Sequence, residues 1–146
     1  MHGLPALPQG SYSVCGENRA PENTMSTLTA DQLATKKCAA CEGNMPKYTR
    51  QEAQEQLQAV SGWKLTHDDQ RIRKDWVMKD FMAGLEFFNA VAKLAESEDH
   101  HPDLHLEGYR NAWIEIWTHA VGGLSENDFV LAAKIDRLPV KLKSSK

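Results

Sequence analysis

Between Asn111 and His119 the chain alternates strictly. Ala112, Ile114, Ile116 and Thr118 fall on one parity, Trp113, Glu115, Trp117 and His119 on the other. A period of two sends these sets to opposite faces of a strand. A strand that is apolar on one side belongs to a sheet covered on one face only. The Ile114/Ile116 side is expected to meet helices. The Trp113/Trp117/His119 side is expected to be the open face, a pocket or a subunit contact, since two tryptophans need burial from somewhere.

The rest of the chain supplies the matching elements. A short helix is expected at Ala30–Thr35. The compact domain is expected to begin near Tyr48, where Thr49 and Glu52 have capping-box spacing and Ala53, Leu57 and Val60 form an apolar stripe. Trp63–Leu65 and Ile72–Met78 read as strands around a polar turn at Thr66–Asp69. Asp80 can cap a helix whose stripe is Phe81, Leu85, Phe88, Ala92 and Ala95, with Gly84 and Val91 beside it. That helix should run to about Ser97, because a residue before Pro102 is pushed out of the α region. Asp103–Leu106 is a weak strand. Ser125 and Asp128 form a second capping box, opening a helix through Phe129, Ala132, Ala133 and Ile135. The domain order is therefore α-β-β-α-β-β-α. It predicts an α+β fold, a four-stranded antiparallel sheet with helices packed on one face. Residues 1–24, rich in Gly, Pro, Ser and Asn, read as a disordered or added leader, with Met25 an alternative start. Residues 25–47 form an N-terminal arm and 48–146 the domain.

Composition excludes several classes. Net charge is −3 and no apolar run approaches a membrane span, so neither nucleic acid nor a membrane is an expected partner. The N-terminus lacks the pattern of a secretory signal. Three cysteines cannot complete a disulfide framework, which fits a reducing compartment and a cytoplasmic location.

The chemistry concentrates in Glu96-Ser97-Glu98-Asp99-His100-His101-Pro102, with His119 and Asp128 downstream. Imidazole gives and takes protons near neutral pH, its unperturbed pKa being about 6.5. A lone histidine at a helix end is usually a partner for the helix dipole, but two in a row before proline point to function. Asp128 has a local explanation as a capping acid, and Glu96 can be a solvated helix residue or can orient an imidazole. A zinc site on His100, His101, His105 and His119 is disfavoured, because adjacent histidines crowd a single ion. Cys38 and Cys41 have CxxC spacing without a second pair. Gly122-Gly123 is a turn, not a phosphate loop.

This pattern resembles the pterin-4a-carbinolamine dehydratases. The family motif is an acidic residue, three spacers, His-His-Pro, an aromatic, a histidine and an aspartate, matched here by Glu96, His100-His101-Pro102, Tyr109, His119 and Asp128. Lys79-Asp80-Phe81, Thr118-His119 and Gly123-Leu124-Ser125-Glu126 are similar to other family segments, and Lys36-Lys37-Cys38 to Gly43 looks like the arm of many bacterial and plant members. The resemblance covers about Tyr48 to Leu138. It implies homodimers or homotetramers and no metal or organic cofactor. It implies dehydration of 4a-hydroxytetrahydropterin to quinonoid dihydropterin, recycling the cofactor of aromatic amino-acid hydroxylases, a pathway partner. His100, His101 and His119 are then the catalytic and substrate-binding imidazoles. His101 and His119 are expected to make the direct proton transfers, with His100 in support. Glu96 and Asp128 would orient them, while Trp117 and Thr118 would bind or orient substrate. Leu104 stands where many members have an aromatic, and Asn127 where many have a basic residue; both are expected near the pocket rim. The competing reading is a non-catalytic or dual-role protein-binding partner on the same fold, a coactivator or assembly factor.

Overall fold

The computed structural model describes residue 3, residues 26–40 and residues 44–145. The expected leader, with Cys15, falls almost wholly outside the described residues, as does Cys41. Among the described residues the order is α1 (Ala30–Thr35), α2 (Arg50–Leu57), β1 (Lys64–Thr66), β2 (Arg71–Val77), α3 (Phe81–Glu98), β3 (Asp103–Glu107), β4 (Asn111–Ile116), a 3-10 turn (His119–Val121) and α4 (Glu126–Ile135). The strands form one antiparallel sheet in the order β1-β2-β4-β3. This is the α+β architecture the alternation predicts. No helix among the described residues is long and apolar enough to cross a membrane.

Local chemistry sets the boundaries. Thr49 and Glu52 close a capping box on α2, and Asp80 Oδ1 accepts from Ala83 N at 2.8 Å to start α3. The β1–β2 turn runs through His67, Asp68 and Asp69, all in the left-handed region, which Asp tolerates better than most residues. α3 stops at Asp99, also left-handed at φ 51°, and His100 N donates back to Ala95 O at 3.2 Å. The helix thus reverses one residue ahead of the histidine pair.

One face of the sheet is the core. Ile72 pairs with Ile116 and Lys74 with Ile114, and both β4 isoleucines are fully buried. They pack in one cluster with Phe87 and Val91 of α3 and Phe129 and Leu131 of α4. Burying each such side chain contributes roughly 1.5–3 kcal/mol. Leu33 of the arm joins this cluster and is also fully buried.

Three details differ from the sequence reading. The stripe that α3 buries is Ala83, Gly84, Phe87, Val91 and Ala95; Phe81, Met82 and Leu85 are exposed. The reason is close approach: a Cβ on Gly84 would lie 3.2 Å from Leu106 Cδ1 of β3, so the small residues face the sheet. β4 ends at Ile116 and not at His119. Thr118 N donates to Gly123 O at 2.8 Å, which pulls the chain into a tight turn and off the sheet. β1 lies one residue later than expected, because Trp63 is buried with Nε1 donating to both oxygens of Asp136 at 3.1 Å.

The other sheet face carries Arg71, Arg73, Trp113, Glu115 and His105. The guanidinium of Arg73 lies 4.5 Å from the Trp113 ring centroid and that of Arg71 lies 4.6 Å from Trp117. His105 stacks on Trp113 at 4.9 Å. The tryptophans are half-buried by these neighbours within the chain.

Candidate active site

His100, His101 and His119 line one open cavity of about 390 Å³, together with Asp99 and Ala120. The exit of α3 delivers the first two. The turn after β4 delivers the third. Residues separated by about twenty positions converge because β3 and β4 form a hairpin that starts and ends beside the α3 exit.

Each imidazole has its own tether. His100 is buried, and its Nε2 lies 2.7 Å from Asp128 Oδ1. Asp128 is fully buried, and its Oδ2 accepts from Ser125 N at 2.8 Å and from Thr118 Oγ1 at 2.9 Å. A buried carboxylate costs little only when its oxygens are satisfied this fully. His101 is exposed, with Nε2 2.7 Å from Glu96 Oε1 one turn back on α3. His119 is exposed and stacks on Trp117, ring centroids 3.8 Å apart.

The other sequence candidates fall into place by burial. Thr118 is fully buried and bonds Asp128 and Ser125, so it orients the carboxylate. Trp117 carries His119 and Arg71 on its ring. Tyr109, part of the sequence motif, sits in the β3–β4 turn, beyond the far end of a strand that runs about 13 Å from Asp103 to Glu107 at about 3.3 Å per residue. His105 faces Trp113 away from the cavity. Among the described residues no three His, Cys, Asp or Glu side chains gather as metal ligands would.

Two residues have contacts that the sequence reading did not anticipate. Asn127, expected near the rim, does not line the histidine cavity: it is 2% exposed, and its amide bonds the backbone of Ala39. Glu98 is 8% exposed and accepts from Cys38 N at 2.8 Å and from Lys134. Burial raises the Glu98 carboxyl, but the Lys134 ammonium and the Cys38 amide outweigh it and hold the group below its ordinary value. One signal for Glu98 was present, since an acid in the last turn opposes the helix dipole and calls for a tertiary partner.

The family model described as pterin 4 alpha carbinolamine dehydratase matches residues 46–138. The chain is 48% identical over 132 residues to the Arabidopsis thaliana protein named pterin-4-alpha-carbinolamine dehydratase 2, mitochondrial, covering 88% of this chain and 70% of that protein. Its fold is similar to the crystal structure of a transcriptional coactivator/pterin dehydratase from Brucella melitensis, with a TM-score of 0.58 and 30% identity over 62% of this chain and 96% of that one. The matched span holds α2 through α4 and all three cavity histidines, and on that match the chain belongs to the pterin 4 alpha carbinolamine dehydratase family.

Proposed function

We propose that this chain is a hydro-lyase that dehydrates 4a-hydroxytetrahydropterin to quinonoid dihydropterin by histidine acid/base catalysis. The observation that carries the reading is the convergence of His100, His101 and His119 on one cavity. Loss of water breaks the C4a–O bond. The hydroxyl takes a proton as it leaves and the N5–H proton is removed, so the electron pair left on N5 forms the new double bond to C4a. One imidazolium and one neutral imidazole supply both transfers, each worth roughly 10²–10⁴-fold.

Burial separates the roles. His101 and His119 are exposed to the cavity and can reach the reacting atoms. His100 has its Nε2 committed to buried Asp128 and supports the site. Glu96 orients His101, and Trp117 orients His119. The exposed Phe81, Met82 and Leu85 on α3 favour a homodimer or homotetramer, and light scattering reads that state directly. A cytoplasmic location rests on the odd cysteine count, whereas the Arabidopsis relative is named as mitochondrial; fractionation decides between the two.

The test is the dehydration rate of chemically generated 4a-hydroxytetrahydropterin with wild type, His101→Ala and His119→Ala. Acceleration that falls at least about a hundredfold in each variant is expected. A folded wild type that leaves the uncatalysed rate unchanged refutes the reading. Weight then moves to a protein-binding role, of the kind named for the Brucella neighbour.

A further inference from the structure

The dipeptide Cys38-Ala39 of the arm is bound by both elements that hold the His100–Asp128 contact. Cys38 N donates to Glu98 Oε2 at 2.8 Å. Ala39 N donates to Asn127 Oδ1 at 2.9 Å, and Asn127 Nδ2 donates back to Ala39 O at 2.8 Å. Glu98 ends α3 two residues before His100, and Asn127 precedes Asp128 in the first turn of α4. A closed circuit results: Glu98, His100, Asp128, Asn127, the arm dipeptide, and back to Glu98.

The arm is also anchored ahead of this circuit. Gln56 of α2, also buried, clamps Leu28 in the same two-bond manner, at 3.0 Å from Leu28 N and 2.8 Å to Leu28 O. Leu33 is buried in the core, and Lys36 pairs with Glu126 at 2.5 Å. Both clamping amides are buried, and each satisfies one donor and one acceptor of the arm backbone. Buried amides are so placed only where a backbone segment is a fixed part of the fold. Besides the dipeptide, the His100–Asp128 contact joins the α3 exit to the α4 start, and the Lys134–Glu98 pair joins the α3 exit to the last turn of α4.

We propose that Cys38-Ala39 is a positioning element of the histidine site, and that Asn127 and Glu98 are positioning residues. They act through the α3 exit and the α4 start to hold His100 against Asp128. The kinetic part of this inference rests on the dehydratase reading.

The experiment compares full-length Asn127→Ala, Ala39→Pro and the double variant. Ala39→Pro deletes one N–H that Asn127 accepts and alters no side chain of α3 or α4. A small misplacement at a catalytic group can lower a rate by up to about 10²-fold. Each single variant is expected to lower kcat about tenfold with KM within about twofold, and the double variant to fall no further, as for partners in one interaction. The ¹⁵Nε2 resonance of His100 should shift in all three. A purely structural arm would lower the melting temperature yet leave kcat at 10 °C and the His100 resonance at wild-type values, and that result overturns the proposal. If wild type itself lacks dehydratase activity, the functional reading fails on its own, and the His100 resonance still decides the clamp.

Discussion

Asp128→Asn is the sharpest test of the site, because it changes charge and hydrogen-bonding sense while keeping shape. Asp128 presents two oxygens to three neighbours: His100 Nε2 at 2.7 Å, Ser125 N at 2.8 Å and Thr118 Oγ1 at 2.9 Å. An amide offers one oxygen. The Ser125 N–H is a backbone donor and cannot turn away, so the oxygen must stay there and the NH₂ must face His100. His100 Nε2 is then forced to accept, and the imidazole proton moves to Nδ1. Each bond to the carboxylate is worth about 1.5–3 kcal/mol and each to a neutral amide about 1, so three bonds lose roughly 3 kcal/mol together. Burying a neutral amide in place of an anion returns part of this, leaving a net loss of about 2 kcal/mol. For a domain of this size that lowers the melting temperature by about 10 °C. The wrong tautomer of a supporting imidazole should lower the dehydration rate about a hundredfold.

Thr118→Val provides the contrast. It deletes one donor to Oδ2 but leaves the carboxylate and the His100 tautomer in place. A loss of about 1 kcal/mol, or about 5 °C, is expected with the rate within about threefold. Thermal melts followed by circular dichroism and the dehydration assay read both variants. The reasoning is refuted if Asp128→Asn melts with wild type and keeps its rate, or if Thr118→Val loses activity as Asp128→Asn does.

Two further outcomes follow from neighbouring contacts. Glu98 has a folded-state pKa below its ordinary value, so its contribution to stability is present above the unfolded value near 4.5 and is lost as pH falls through the lower folded value. Glu98→Gln should therefore melt below wild type at pH 7, with the gap closing as pH falls below about 4.5; melting curves that stay parallel from pH 7 to 3 contradict this. Trp117 Nε1 is buried with no hydrogen-bond partner among the described residues, a cost of roughly 1–3 kcal/mol that offsets the area lost on truncation to phenylalanine. Trp117→Phe should keep stability and rate near wild type while Trp117→Ala, which unseats His119, loses at least about tenfold in rate; equal losses in both would sink the stacking argument.

How much of this was legible in sequence depends on the range of each signal. Short-range chemistry read through directly: Thr49 and Glu52 cap α2, Asp80 caps α3, and the alternation in β4 buries Ile114 and Ile116. The α3 stripe did not, because Phe81-Met82 and Leu85 make the wrong side of the helix look the more apolar. What decides that helix is the approach of Leu106 to Gly84, a contact between elements that no periodicity records. His119 keeps the alternating parity of β4 after the chain has left the sheet, because parity is a property of an extended backbone and pairing is a property of its neighbours. The open-face tryptophans were expected to need a pocket or a subunit; within the chain Arg71 and Arg73 cover part of them and leave them half-buried.

Asp128 shows why local and functional readings of one residue need not compete. As the capping acid of α4 it is held by the Ser125 N–H at the positive end of the helix dipole, which favours a carboxylate there. Those donors fix Oδ2 and stabilise the charge inside the fold. Oδ1 is left aimed at His100, 28 residues earlier in the chain, with no further cost of orientation. A carboxylate elsewhere in the core would need a separate set of donors to survive burial. A helix start provides one of them from its own backbone and Thr118 adds the other, so the position that capping explains is also a cheap one from which a buried acid can hold a histidine.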